Sequence, residues 1–149
     1  MPFRPPRLLL VWDPLAGLCE KVLPRLRQQL LDRAFDVDDL ALNQPERVAL
    51  REYDGLVLGC PVPGAGLRRH GPTDLVDAFV RAQDALDEVE TALFTVYRAR
   101  PGHTLRNTRQ LVVDQGGRVV VQHGYPAFRP RWQEHVLPAE CMVRIRSSQ

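Results

Sequence analysis

The chain has 149 residues, of which 44% are hydrophobic and 26% are charged; this composition is typical of one globular domain that buries about two thirds of its unfolded surface. Its 20 basic and 18 acidic residues leave a net charge of +2, which argues against the basic face that nucleic-acid binding usually requires. Because no run of 18 apolar residues and no convincing secretory cleavage site occurs, we expect no membrane association and a cytoplasmic location.

The first third of the chain predicts two strands separated by a helix. Arg7–Trp12 is a continuous apolar run, as expected of a central strand covered on both faces. After a turn at Asp13-Pro14, leucine and valine recur every four residues, which indicates an amphipathic helix. Pro24 interrupts this pattern, so the helix either bends there or begins near Leu23. Phe35–Leu40 predicts a short second strand.

The middle of the chain continues the alternation. Pro45–Glu52 allows about two helical turns, with Pro45 at the first position. Gly55–Cys60 is a third apolar strand, and a loop rich in proline and glycine follows it. Thr73 is a good N-cap for the next helix. We expect the core face of that helix to consist of Leu75, Val76, Phe79, Val80 and Leu86.

The last part predicts a fourth strand at Val89–Val96, a helix that Gly116 and Gly117 end, and a fifth strand at Arg118–Gln122. The helix is marked by Leu105, Thr108, Leu111 and Val112. Strands that alternate with helices predict a parallel sheet covered on both faces, with ligands bound beyond the carboxyl ends of the strands. Neither a repeat nor a linker is evident, so we expect a single domain over residues 1–149.

Three loops of the chain resemble those of the flavodoxin family. The segment from Val11 to Val22 resembles the flavodoxin phosphate loop, in which a T-G-x-T core joins the first strand to the first helix. Tyr53–Val62 is similar to the third strand and the first flavin-flanking loop, and Ala92–Tyr97 with Pro101-Gly102 to the fourth strand and the second. The resemblance implies a three-layer, doubly wound α/β fold with a parallel five-stranded sheet in the order 2-1-3-4-5. The last helix would be short.

The same resemblance implies FMN as cofactor. It assigns Ala16, Gly17, Leu18 and Cys19 to the phosphate, and Pro61, Val62, Pro63, Gly64, Tyr97 and Arg98 to the two sides of the flavin ring. Flavodoxins hold the phosphate with backbone amides and with threonine or serine hydroxyls, but here only Gly17 keeps the family residue. Two lost hydrogen bonds of about 1.5–3 kcal/mol each weaken binding by a factor of roughly 10² to 10⁴. Alternatively, Leu18 and Cys19 simply pack the helix against the sheet.

Other chemistry is weakly indicated. The four histidines lack metal-ligand spacing, and the three cysteines form no C-x-x-C pair. Cys60, at the end of the third strand, would be a reactive thiol only beside a cation. A response-regulator receiver shares the strand order, but Gly59 stands where its phosphoacceptor aspartate would be. We identify no catalytic residue.

Two hypotheses therefore remain. The first is a flavodoxin-like protein that binds FMN weakly and transfers electrons to a redox partner. The second is a cofactor-free flavodoxin-like module that serves in interaction or assembly. Because Pro126, Pro130 and Pro138 prevent a long last helix, part of one sheet face and of the first helix would lack cover. We therefore expect a homodimer, with Trp132 and the Cys141–Ile145 tail near the interface.

Overall fold

The computed structural model describes residues 5–44, 48–62, 71–100 and 102–127. Strands and helices alternate along these ranges as the sequence predicts, except that the described residues between β2 and β3 form no α-helix. In chain order they are β1 (Arg7–Trp12), α1 (Leu23–Asp32), β2 (Asp36–Ala41), β3 (Gly55–Val62), α2 (Asp74–Ala82), β4 (Glu90–Tyr97), α3 (Thr104–Asp114) and β5 (Arg118–Pro126).

The five strands form one parallel sheet in the order β2-β1-β3-β4-β5, which confirms the predicted doubly wound topology. Successive side chains of β1 point to opposite faces of the sheet. Leu8 and Leu10 pack in the core beneath the leucines of α1, whereas Leu9 and Val11 pack in the core beneath α2 and α3. The two faces of the sheet thus account for the uninterrupted apolar run of β1.

Helix α1 begins at Leu23, with Pro24 in its first turn, so the proline starts the helix rather than bending it. The helix ends in a Schellman motif. The amide of Phe35 donates to the carbonyl of Leu30 at 3.1 Å, and the amide of Ala34 donates to the carbonyl of Leu31 at 3.0 Å. Ala34 has φ 64°, a conformation that glycine adopts at lower cost.

Some predicted boundaries and faces are wrong. The third, fourth and fifth strands run to Val62, Tyr97 and Pro126, beyond the predicted ends. In the described part of Pro45–Glu52, the only helical segment is a 3₁₀ turn at Leu50–Glu52. Leu75 is 42% exposed rather than in the core, because the apolar stripe of α2 is centred on Val76 and Val80.

The α1 side of the sheet is well covered at its centre and less so at β5. Val57, Ala92, Phe94, Val96 and Tyr125 lie on this side and are at most 1% exposed, whereas Val120 and Val121 of β5 pack against the same cluster and are only half-buried. Among the described residues, the expectation of an uncovered sheet face is therefore wrong for the central strands and stays a prediction for β5. The shortened last helix, Trp132 and the Cys141–Ile145 tail lie outside that part. Among the helices that the structure does describe, none has the length and apolar character needed to cross a membrane.

Candidate functional site

The loop after β1 is hydrogen-bonded to the sheet through Asp13. Its backbone amide donates to the carbonyl of Gly59 on β3 at 3.2 Å, and its carboxylate accepts a hydrogen bond from the amide of Leu15 at 2.9 Å. Asp13 is only 3% exposed. A carboxylate thus lies buried at the start of the loop that the sequence assigns to a phosphate.

The rest of this loop is bonded largely to itself. Ala16 and Gly17 both have positive φ, 59° and 65°, and the amide of Gly17 donates to the carbonyl of Pro14 at 3.0 Å. The amides of Lys21 and Val22 then close a second short turn on Leu18 and Cys19. Among the described residues, the amides of Ala16, Leu18, Cys19 and Glu20 donate to no backbone carbonyl. These four amides are what the loop offers to an anion.

Leu18 and Cys19 face the interior. Both side chains are 0% exposed and belong to the core between α1 and the sheet, so they pack the start of the helix against the strands. Burial first, followed by the nearby Cys60, Asp13 and Glu20, raises the pKa of the Cys19 thiol well above its usual value. Neither side chain is turned towards a ligand beyond the loop.

The residues assigned to the flavin ring are only partly brought together. Pro61 and Val62 are the last two residues of β3 and are buried. Val62 pairs with Tyr97 of β4. Tyr97 is half-buried, and its ring packs on β5: a Cβ atom on Gly124 would lie 3.4 Å from Tyr97 Cε1. Arg98 is exposed. Pro63 and Gly64 lie outside the described residues.

Cys60 is not the accessible thiol that its place at the strand end indicated. Its side chain is 2% exposed, and burial raises its pKa to about 11, although the hydroxyls of Thr73 and Thr108 lie near enough to favour the thiolate slightly. Neither hydroxyl makes a hydrogen bond of ordinary geometry within the described structure. A thiol that stays protonated at neutral pH is a poor nucleophile.

A cavity that no sequence motif indicates lies beside the loop. It has a volume of about 410 Å³ and is bounded by the end of β1, the start of α1 and the edge strand β2. The described residues that line it are Leu10, Trp12, Glu20, Leu23, Pro24, Arg27 and Asp39. We refer to it as the α1 cavity. It depends on the gap between α1 and β2, for which the sequence carries no local signal.

Known structures share this architecture. A flavodoxin of Megasphaera elsdenii superposes with a TM-score of 0.71 at 18% identity, over 83% of this chain and 89% of that protein. A flavodoxin of Streptococcus pneumoniae TIGR4 gives 0.73 at 13% identity, over 96% and 99%. The rubredoxin oxygen:oxidoreductase of Desulfovibrio gigas gives 0.73 at 11% identity, over 95% of this chain and 35% of that one. The fold is flavodoxin-like. No protein-family model and no curated protein sequence matches the chain.

The residues of this flavodoxin-like protein do not fit the FMN phosphate. The segment from Pro14 to Val22 contains no serine or threonine, and Leu18 and Cys19 occupy the core instead. The carboxylates of Asp13 and Glu20 flank the loop on both sides of the amides that remain. Within this segment a phosphate would find no hydroxyl donor and would meet the carboxylates of Asp13 and Glu20, with Lys21 as the one cation.

Proposed function

We propose that this chain is a flavodoxin-fold protein without the phosphate anchor of FMN, acting as a cofactor-free interaction and assembly module. The observation that carries the proposal is the inward packing of Leu18 and Cys19 in the loop after β1, where Cys19 stands at a position at which the T-G-x-T core of the family has a hydroxyl donor. The fold is intact around this loop, with all five strands paired. A protein that kept the flavodoxin-like fold but lost the cofactor would have this combination of an intact sheet and a loop whose side chains pack in the core.

Electrostatics supports the same proposal. Glu20 lies on the loop with its Oε1 accepting from the indole N–H of Trp12 at 3.2 Å, and Asp13 lies buried at the loop start. Both carboxylates are near enough to Cys19 to disfavour a thiolate there. The same charges disfavour a phosphate dianion at the neighbouring amides.

A second candidate is a weak FMN-binding electron-transfer protein. The flavodoxin-like neighbours support it, and so do Gly17 in the left-handed conformation and the four loop amides without a backbone acceptor among the described residues. Under this candidate, backbone donors alone hold the phosphate. The two candidates differ in one measurable quantity, which is the share of the flavin affinity that the phosphate supplies.

Parallel titrations of the full chain with FMN and with riboflavin, followed by flavin fluorescence, test the proposal. The two flavins share the ring and the ribityl chain, and only FMN carries the phosphate. We expect no saturable binding of FMN below about 100 μM and no preference for FMN over riboflavin. Binding of FMN with a Kd below about 100 μM, at least tenfold tighter than riboflavin, would overturn the proposal in favour of the second candidate.

A pair of double variants makes the comparison sharper. Asp13→Asn with Glu20→Gln removes both carboxylates at the loop and keeps an acceptor for the amide of Leu15. Asp87→Asn with Glu88→Gln makes the same charge change at an exposed turn before β4. We expect neither variant to gain FMN binding. A gain in FMN affinity confined to the loop variant would show that the amides still form a phosphate site.

A further inference from the structure

The α1 cavity has the size and the lining of a small-molecule site. Its volume of about 410 Å³ lies within the range of roughly 300–1,000 Å³ found for ligand pockets. Its floor is apolar, with the buried side chains of Leu10 and Leu23, and Pro24 forms one wall. Polar groups are confined to the rim. Such a lining offers apolar contact to the body of a ligand and leaves its orientation to a few charges.

The charged residues on the rim of the cavity determine whether it favours a cationic or an anionic ligand. Arg27 forms an ion pair with Asp39 across the cavity mouth, so these two charges cancel each other. Glu20 is the remaining charged residue of the described lining. Its Oε1 is held by Trp12 Nε1, while its Oε2 makes no hydrogen bond within the described structure. The lining therefore carries one net negative charge and a carboxylate oxygen ready to accept.

Trp12 adds a second attraction for a cation. Its indole lines the cavity, and an aromatic face attracts an ammonium or guanidinium group within about 6 Å of its centre. The indole N–H already donates to Glu20, which fixes the ring and removes that donor from a neutral or anionic ligand. An anion would instead have to share Arg27 with Asp39 while facing Glu20.

We propose that the α1 cavity binds an organic cation, a primary ammonium group on a small apolar body. The apolar body occupies the floor formed by Leu10 and Leu23. The ammonium group lies against the indole of Trp12 and donates to Glu20. The site lies beneath α1 and shares only Glu20 with the loop after β1, so ligand binding in the cavity can be measured without any flavin.

The test uses the full chain, ¹⁵N-labelled, and three matched probes: 2-phenylethylammonium, 2-phenylethanol and 3-phenylpropionate. The chain has two tryptophans, and a Trp12→Phe variant assigns the indole cross-peak of Trp12. We expect that cross-peak to shift saturably with the ammonium probe, with a Kd on the order of 1 mM. We expect the alcohol to bind about three- to fivefold more weakly. Equal binding of the ammonium and carboxylate probes, or no saturable shift with the ammonium probe, would overturn the proposal.

Two substitutions with opposite expected effects separate a specific site from non-specific apolar binding. Glu20→Gln removes the accepting carboxylate and should weaken the ammonium probe about three- to fivefold. Arg27→Gln frees Asp39 and should strengthen it by a similar factor, and both residues are exposed enough to be changed without unfolding. Asp87→Asn, on an exposed turn in the opposite layer, is the matched control and should change nothing. If the first two variants bind like the control, the rim charges do not recognise the ligand and the proposal is wrong.

Discussion

The ring of Phe94 on β4 lies directly across Gly59 on β3. The two residues are partners in the parallel register, and a Cβ atom on Gly59 would stand 2.3 Å from Phe94 Cζ. The ring also makes an edge contact with Tyr125 of β5, with centroids 6.2 Å apart. The Phe94 side chain of β4 therefore fills the space that a side chain at position 59 of β3 would occupy.

Gly59→Ala should consequently destabilise the protein by about 1–3 kcal/mol, since the buried ring has no room to move. Urea unfolding followed by circular dichroism measures the change. Gly71→Ala is the matched control, because an added Cβ there meets nothing within 4 Å. In the double variant with Phe94→Leu, the extra cost of Gly59→Ala should largely vanish. A Gly59→Ala protein as stable as the control would mean that the ring does not occupy this position.

Ala34→Gly should stabilise the protein by about 0.5–1 kcal/mol. Ala34 occupies the left-handed position of the Schellman motif after α1, with φ 64°, where glycine has no Cβ penalty. Thermal and urea unfolding measure the effect. Ala82→Gly, at the exposed last residue of α2, is the matched control and should destabilise by a similar amount. Equal destabilisation by both substitutions would contradict the observed helix end.

The free energy of unfolding should fall as the pH rises above about 8.5. Burial raises the pKa of Cys60 to about 11 in the folded protein, whereas an unfolded cysteine titrates near 8.5. A raised folded pKa means that the contribution is complete below the unfolded value and is lost as pH approaches the folded value. Cys19 acts in the same direction. Urea unfolding between pH 7 and 10 should show this slope.

Cys60→Ala should flatten that slope, whatever it does to stability at pH 7. Tyr53→Phe is the control, because the pKa of Tyr53 is raised to about 12 by burial and by its hydrogen bond to Asp38; an unfolded tyrosine titrates only near 10. This variant should leave the slope below pH 10 unchanged. A stability that is independent of pH up to 10 in the parent protein would rule out buried thiols.

The homodimer stays a prediction. Light scattering coupled to size exclusion, at tens of micromolar, should give about twice the chain mass of 16.9 kDa. Under the proposed assembly role, added FMN should leave that mass unchanged. A measured mass of a single chain would contradict the dimer prediction. It would agree with the burial of Phe94 and Val96 on the α1 side of the sheet.

Most of the strand–helix alternation could be predicted, because apolar runs and a helical period of four are local signals, whereas the sheet order followed from the resemblance to flavodoxins. The end of β3 could not be predicted. Pro61 marked a break in the sequence, yet β3 continues to Val62. Gly59 directs its carbonyl to Asp13 on the β1 side, and in a parallel strand position 61 points to the same side. Because β1 ends opposite Gly59, the missing N–H of Pro61 costs no ladder bond.

The sequence left two orientations open for the candidate loop. The loop from Ala16 to Cys19 lies at the carboxyl end of β1, and of the two alternatives the structure confirms that Leu18 and Cys19 pack in the core. The direction in which Leu18 and Cys19 point depends on how α1 settles on the sheet, and that packing involves β3 and β4, far away in sequence. The α1 cavity depends on the same packing, which is why no motif indicates it.

The acidic strand β2 has a consequence for the protein at high concentration. Among the described strands it pairs with β1 alone, at one end of the sheet. Asp36, Asp38 and Asp39 are all exposed along it. Two copies that met edge to edge through β2 would bring six carboxylates together, of which the four of Asp38 and Asp39 are already ion-paired to Arg7 and Arg27, so the repulsion that opposes strand pairing comes mainly from Asp36. Edge-to-edge pairing through β2 is thereby disfavoured, which limits one route to aggregation at high concentration.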